Sequence, residues 1–329
     1  MSCSNLDRHH SKEILFETQE VMELQKVSID EVLRPVDMIL TDDYYVIQND
    51  IMDNMDMFFV YDRESLRFLY SFMQRGLGPD ETLAPALVQN SINNQIMIID
   101  QANGRLLTFM LAGAGVSKVS EDLIERQDKS PLQEVYLCGD SVLIYNTIEN
   151  EIQTYSLKTH QIIDSFSFRN NLKSDLGQDY NKNYDSFHFS VLGNRIGVAF
   201  RYIDKLSVGQ LTEDFRIVME EPSFMVGKKI DTRRFKQIIY YPYIELTENG
   251  FMAQFAGYEL LKMQPFPLNM GKREFKFDIE VYDKTGEPRK ILKMEEDILR
   301  CKYDAKNHRL FTWNPLEDFD SILFYNIVI

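Results

Sequence analysis

Five histidines are the first candidates for acid–base chemistry in this 329-residue chain: His9, His10, His160, His188 and His308. Four of them fall in polar or turn-like surroundings. His188 alone sits inside an apolar run, Ser186-Phe187-His188-Phe189-Ser190. Alternation along a strand puts Ser186 and His188 on one face and the two phenylalanines on the other. Around it the sequence offers further polar residues at the starts of apolar runs. They are Arg34, Asp37, Gln89, Asn90, Glu134, Asp185, Tyr241, Tyr243, Arg300 and Lys302. From these the site expectation takes His188, Asp185, Asn90, Glu134, Tyr241 and Arg300. Tyrosine mixed with cations and carboxylates suits a sugar, a peptide or a small anion. The structural alternative is a set of satisfied polar groups that binds nothing.

No motif assigns a reaction. HExxH, the Walker loop and the GxSxG elbow are all absent from the sequence. Asn90, Glu134 and Asp185 supply the donor types of a divalent-cation site but have no diagnostic spacing. The acidic run Asp50, Asp53, Asp56 lacks the glycine bend of a calcium loop and reads first as solvated loop. No cofactor is therefore expected, with a divalent cation as the alternative. Cys3, Cys138 and Cys301 are too few and too scattered for a disulfide framework or a zinc pair, so free thiols are expected.

Bulk composition narrows the class. Hydrophobic residues make up 44% and charged residues 26%, which is globular usage. Aromatics reach 12%, including 17 Tyr and 22 Phe, and favour strands. The formal charge of −15 opposes nucleic-acid binding, which depends on cations neutralising phosphates. The best basic cluster, Lys228, Lys229, Arg233, Arg234 and Lys236, reads as solvated loop. No apolar run approaches the ~20 residues of a membrane helix.

The elements that must position these residues form a repeat. Tyr44–Gln48, Met57–Tyr61 and Arg67–Phe72 are strand-like runs split by short turns, and similar modules continue to the end. Tyr61-Asp62 and Tyr282-Asp283 match at one strand phase, with Tyr155-Ser156 and Tyr325-Asn326 close to them and Phe109 weaker. An aromatic there can fill the wedge between sheets, and the next residue can start a turn. The last module lacks a fourth strand, and Ile14–Phe16 or Val21–Ser28 is free to supply it. The expectation is an all-β, six-bladed β-propeller closed by an N-terminal strand that completes the last blade. Residues 1–13 are expected as a flexible tether and 14–329 as a single domain.

This layout resembles the TolB-like six-bladed β-propellers of Bacteroidetes envelope proteins. The segment Arg75-Gly76-Leu77-Gly78-Pro79-Asp80-Glu81 is similar to a glycine-rich blade junction of that family. It departs from the family pattern at Asp80 and Thr82. Physically it reads as a tight crossover in which glycines permit positive φ and close approach. Ser2-Cys3-Ser4 resembles the end of a lipoprotein signal, which would make Cys3 the lipidated residue. The resemblance implies a monomeric, non-enzymatic binding or scaffold protein of the periplasm or outer membrane, with a protein, peptide or glycan partner. Without a signal before Cys3 the location would be cytoplasmic. The alternative function is a cation-dependent hydrolase, lactonase or lyase with its site in the central channel.

Overall fold

The structure is a computed structural model that describes residues 16, 18–50, 55–124, 132, 134–220, 224–225, 238–256, 258–259, 277–295, 300–314 and 319–329. The N-terminal segment forms β1 (Thr18–Val21) and β2 (Leu24–Leu33). The first module is β3 (Pro35–Leu40), β4 (Tyr44–Asn49), β5 (Phe58–Asp62) and β6 (Phe68–Phe72), an antiparallel meander. The second is β7 (Pro85–Gln89), β8 (Gln95–Asp100), β9 (Arg105–Ala112) and β10 (Gly115–Leu123). The third is β11 (Val135–Cys138), β12 (Val142–Asn146), β13 (Glu151–Ser156) and β14 (Gln161–Ser167).

A helix, α1 (Arg169–Leu176), leads into the fourth module. That module is β15 (Phe187–Leu192), β16 (Arg195–Phe200), β17 (Lys205–Leu211) and β18 (Ile217–Met219), with β19 (Phe224–Met225) also on β17. A small pair follows, β20 (Ile238–Ile239) with β23 (Tyr258–Glu259). The fifth module is β21 (Tyr243–Thr247), β22 (Gly250–Phe255), β24 (Asp278–Asp283) and β25 (Pro288–Lys293). The chain ends with β26 (Arg300–Asp304), β27 (Arg309–Trp313) and β28 (Phe319–Asn326).

The N-terminal segment works in two sheets. β2 pairs antiparallel with β28, from Leu24 opposite Tyr325 to Leu33 opposite Phe319, and so gives the last module its fourth strand. β1 adds to β25 in parallel, Thr18 opposite Lys290 through Val21 opposite Lys293. That second pairing has no signal in the sequence, because a four-residue strand with a single apolar residue, Val21, carries no apolar alternation.

The expectation of six separate sheets is corrected. Four sheets of four or five strands stand apart, while the second and third modules share one eight-stranded sheet. They join where β7 and β11 pair in parallel, Val88 opposite Val135 and Gln89 opposite Tyr136. Among the described residues, no sheet closes on itself. The modules still make a propeller-like ring, since their first strands touch in the cyclic order β3, β7, β11, β15, β21, β26 and back to β3.

Side chains between consecutive modules fill the core. One buried cluster joins Val46 and Phe58 to Ile98 and Leu107, and another joins Ile144 to Phe189 and Val198. Tyr45 and Phe59 of the first module pack with Phe311 and Ile322 of the last, and Tyr45 stacks on Phe311 with centroids 4.4 Å apart. Middle strands such as β4 and β12 are buried at every residue because both of their faces meet neighbouring sheets. Outer strands such as β10 keep solvent on one side. The repeated aromatics behave as the wedge requires: Tyr61, Tyr155, Tyr282, Tyr325 and Phe109 are all buried. The residues after three of them start turns, with Ser65 N donating to Asp62 Oδ1 at 2.7 Å, Thr159 N to Ser156 Oγ at 3.1 Å and Thr285 N to Asp283 Oδ1 at 2.8 Å.

The Arg75–Glu81 segment is a crossover folded around its own carboxylate. Glu81 Oε2 accepts from Gly78 N at 2.8 Å, and the Glu81 carbonyl accepts from Arg105 Nη2 at 2.7 Å. A Cβ on Gly76 would stand 1.9 Å from Glu81 Oε2. Neither Gly76 nor Gly78 has positive φ, so close approach, not a left-handed turn, is what these glycines serve. Cys138 and Cys301 are buried free thiols, as expected. The tether 1–13, Cys3, Asp53 and the basic cluster 228–236 lie outside the described residues.

Leu33 is fully buried at the join of the first and last modules. Leu33→Ala should lower unfolding stability by about 3 kcal/mol in denaturant titration. A loss under ~0.5 kcal/mol, the range of an ordinary surface substitution, would mean the N-terminal strand is not seated there.

Candidate functional site

Each module's first strand carries polar side chains toward the ring's centre, and these meet. On β15 the burial alternates as the sequence implies, with Phe187 and Phe189 buried and His188 partly exposed. His188 Nδ1 lies 2.6 Å from Glu134 Oε1, contributed by the residue just before β11. The other Glu134 oxygen accepts from Phe189 N at 3.0 Å. Two residues further along the chain, Tyr136 of β11 donates to the Phe189 carbonyl at 2.9 Å. The carboxylate of Glu134 therefore ties β11 to β15 through both oxygens.

The remaining strands close the polar set. Gln89 Nε2 of β7 donates to Asp37 Oδ2 of β3 at 3.0 Å, and Met38 N donates to Asp37 Oδ1 at 2.8 Å. On β21, Glu245 accepts from Tyr243 at 2.8 Å and pairs with Lys302 of β26 at 2.9 Å. Arg300, the first residue of β26, donates to the Pro242 carbonyl at 3.3 Å. Every first strand thus gives at least one polar side chain to a narrow, mutually bonded lining.

Electrostatics follow from burial. Desolvation raises the Asp37 carboxyl to about 6, against the pull of the Met38 N–H, Lys302, Arg300 and Gln89. Desolvation also lowers the His188 imidazolium below its ordinary value. Glu134 opposes that shift, while Arg300 and Arg201 add to it. The neutral ring, donating Nδ1–H to Glu134, leaves Nε2 as an acceptor. Tyr136 and Tyr243 are held as neutral phenols by burial first and then by carboxylates such as Glu134 and Glu245. The Cys301 thiol is pushed up by burial and by Glu245, so it is not a nucleophile here.

Three of the six expected site residues, Glu134, His188 and Arg300, come together in this lining. The other three have separate structural tasks. Asn90 adopts φ 66° and donates to the carbonyls of Leu137 at 3.3 Å and Val191 at 2.8 Å, bridging the second, third and fourth modules. Asp185 is buried under the helical insertion, where it accepts from Arg169 Nε at 3.1 Å and Tyr180 at 2.8 Å. Tyr241 is fully buried, with its hydroxyl 3.0 Å from Asp204 and 3.1 Å from Glu280, in the core between the fourth and fifth modules. Among the described residues, no group of three or more His, Cys, Asp or Glu side chains converges to hold a metal.

Sequence reasoning missed Tyr136, Glu245 and Arg201. The first two had a signal: they lie two residues beyond Glu134 and Tyr243, on the same strand face. Arg201 follows a second strand, β16, and no period points to it.

No family model matches the chain, and no curated protein matches it. Solved structures do. A member of the DUF4221 family from Bacteroides vulgatus is 13% identical, covers 93% of this chain and 98% of its own, and superposes with a TM-score of 0.55. A Bacteroides fragilis protein named "Putative exported protein" is also 13% identical, with 96% and 99% coverage and a TM-score of 0.58. At this identity the likeness shows a shared fold. Among the described residues, no helix is long and apolar enough to cross a membrane.

Two outcomes test the lining. By NMR, the His188 ring should titrate below the ordinary ~6.5, and Glu134→Gln should lower it further. A value above 6.5 in the parent would contradict a desolvated ring. Stability from protonated Asp37 is complete below its unfolded value near 3.8 and is lost as pH rises through about 6. Asp37→Asn should therefore stabilise the fold by ~1–3 kcal/mol at pH 8 and leave it nearly unchanged at pH 4. The measurement is denaturant unfolding at both pH values, and destabilisation at pH 8 would count against the burial of this charge.

Proposed function

We propose that the protein is a non-enzymatic binding or scaffold propeller of the bacterial cell envelope. In this reading the eight-stranded sheet is two blades joined along β7 and β11, which makes a six-bladed propeller of TolB-like type with β2 completing the last blade. The observation that carries the proposal is the pairing inside the channel. Glu134 is committed to His188 and Phe189 N, Glu245 to Lys302 and Tyr243, and Asp37 to Gln89. A carboxylate–imidazole pair also occurs in catalytic sites, where the second ring nitrogen meets a nucleophile; among the described residues His188 has no hydrogen bond to a Ser, Thr or Cys side chain.

An envelope location is supported by the name of the Bacteroides fragilis neighbour and by the Ser2-Cys3-Ser4 segment. Cys3 is the proposed lipid anchor, held by the polar tether 1–13, and the protein is proposed to act as a monomer. The partner class is a protein, peptide or glycan. A cation-dependent hydrolase, lactonase or lyase built on Asn90, Glu134 and Asp185 gains no support, because each of the three is engaged with different groups.

Cell fractionation with affinity capture tests the proposal. The protein should sediment with envelopes and retain a specific partner through washing. Ester, lactone and polysaccharide substrates should turn over at the background rate with or without added calcium or magnesium. Turnover abolished by Glu134→Gln, or a purely cytosolic distribution, would overturn it.

A further inference from the structure

We propose that the part of the channel bounded by Arg201, Arg300 and His188 binds the carboxylate of a small ligand. The proposal rests on the binding reading above and gives it a chemical class.

The chain carries 51 Asp and Glu against 36 Lys and Arg, so a cation without a carboxylate partner is the unexpected state. Several little-exposed cations elsewhere are paired with carboxylates, Arg63 with Asp304, Arg105 with Asp100, Lys205 with Asp175 and Lys302 with Glu245, while Arg195 is satisfied by the Thr247 and Gly250 carbonyls. Arg201 and Arg300 make no ion pair among the described residues. Among the described residues the Arg300 guanidinium has one hydrogen bond, the 3.3 Å contact to the Pro242 carbonyl. The Arg201 guanidinium lies 5.5 Å from the centroid of the Tyr202 ring, and its buried Nε has no acceptor among the described residues.

Backbone contacts bring the two arginines to one place. Arg201 N donates to the Ser186 carbonyl at 2.9 Å, two residues before His188. The Arg201 carbonyl accepts from Tyr240 N at 2.8 Å, while Arg300 reaches Pro242. The segment Tyr240–Pro242 therefore runs between them. Both guanidinium charges are near enough to act on the His188 ring. Glu134, the carboxylate bonded to that ring, has both oxygens occupied.

Partly buried guanidinium donors left without acceptors cost free energy that an anion recovers. Two planar forks favour a carboxylate, which can take parallel N–H···O bonds. His188 Nε2, acting as an acceptor, suits a hydroxyl or amide N–H on the same ligand. A uronic acid and a peptide C-terminus share this chemistry: a carboxylate beside a neutral hydrogen-bond donor.

Calorimetric titration of the full chain with glucuronate and with acetyl-Ala-Ala tests the site and separates the two sources. Glucose and acetyl-Ala-Ala amide serve as neutral counterparts. At least one acid should bind saturably and its neutral counterpart should not. Arg201→Gln and Arg300→Gln should each weaken that binding ~10-fold or more. Arg195→Gln, which alters an arginine bonded to the Thr247 and Gly250 carbonyls, should leave it unchanged. If either glutamine variant fails to fold, Arg→Lys at the same position keeps the charge, loses the fork and should still weaken binding several-fold. Absence of binding by both acids at millimolar concentration, equal binding of the neutral counterparts, or indifference to both substitutions would overturn the site. A captured envelope partner together with any of those results would sink the carboxylate site and leave the binding reading standing.

Discussion

The rest of the structure depends on one long-range pairing, the antiparallel register of Leu24–Leu33 against Phe319–Asn326. An array of four-stranded modules has an inherent problem at its ends, since the final sheet presents an open edge and the first has no neighbour on one side. Here the N-terminal strand covers the open edge and leads directly into the first module. Packing of Tyr45 and Phe59 against Phe311 and Ile322 then becomes an ordinary inter-sheet contact. Polar contacts lock the same joint. Arg63 bonds Asp304 and the Thr41 carbonyl, Arg309 donates to the Glu64 carbonyl at 2.8 Å, and Lys306 to that of Asp42 at 2.8 Å. Burial of Asp304 makes its carboxylate dependent on Arg63 and Asn307.

Once the ring is set, the first strands are forced together, and their inward side chains have little water to share. That is why the lining is so heavily cross-bonded. Glu134 with His188 and Glu245 with Lys302 each connect neighbouring modules, so the same bonds that satisfy buried charge also fix the spacing of the strands. Asp37, with its carboxyl raised to about 6, marks where compensation is incomplete.

What was legible in the sequence follows from what leaves a local pattern. Strand–turn alternation and the Tyr61, Tyr155, Tyr282 and Tyr325 phase are set by near neighbours, and they located the modules and the wedge aromatics. The spare N-terminal strand followed from counting. Less legible was anything set by distant packing. Whether β7 and β11 come close enough to bond depends on the whole ring, so the fusion of two modules into one sheet left no mark. Glu134 was legible as the polar residue just before an apolar strand, and His188 as the polar position between two phenylalanines of an alternating one. Asp185 lies two residues before β15, close to the place Glu134 takes before β11, yet Arg169 of the helix and Tyr180 of the segment after it claim it. Tyr241 was misplaced because a tyrosine beside a strand start looks alike whether its hydroxyl meets a channel or a buried carboxylate pair.

The two buried cysteines have a use that their inertness creates. Cys138 on β11 and Cys301 on β26 stand three places apart in the cyclic order of first strands, on opposite sides of the ring. Burial keeps both thiols protonated, so a labelling reagent reaches them only when the local sheet opens. They are a pair of built-in reporters, able to register separately whether the ring comes apart first beside the joint of its two termini or on the far side from it.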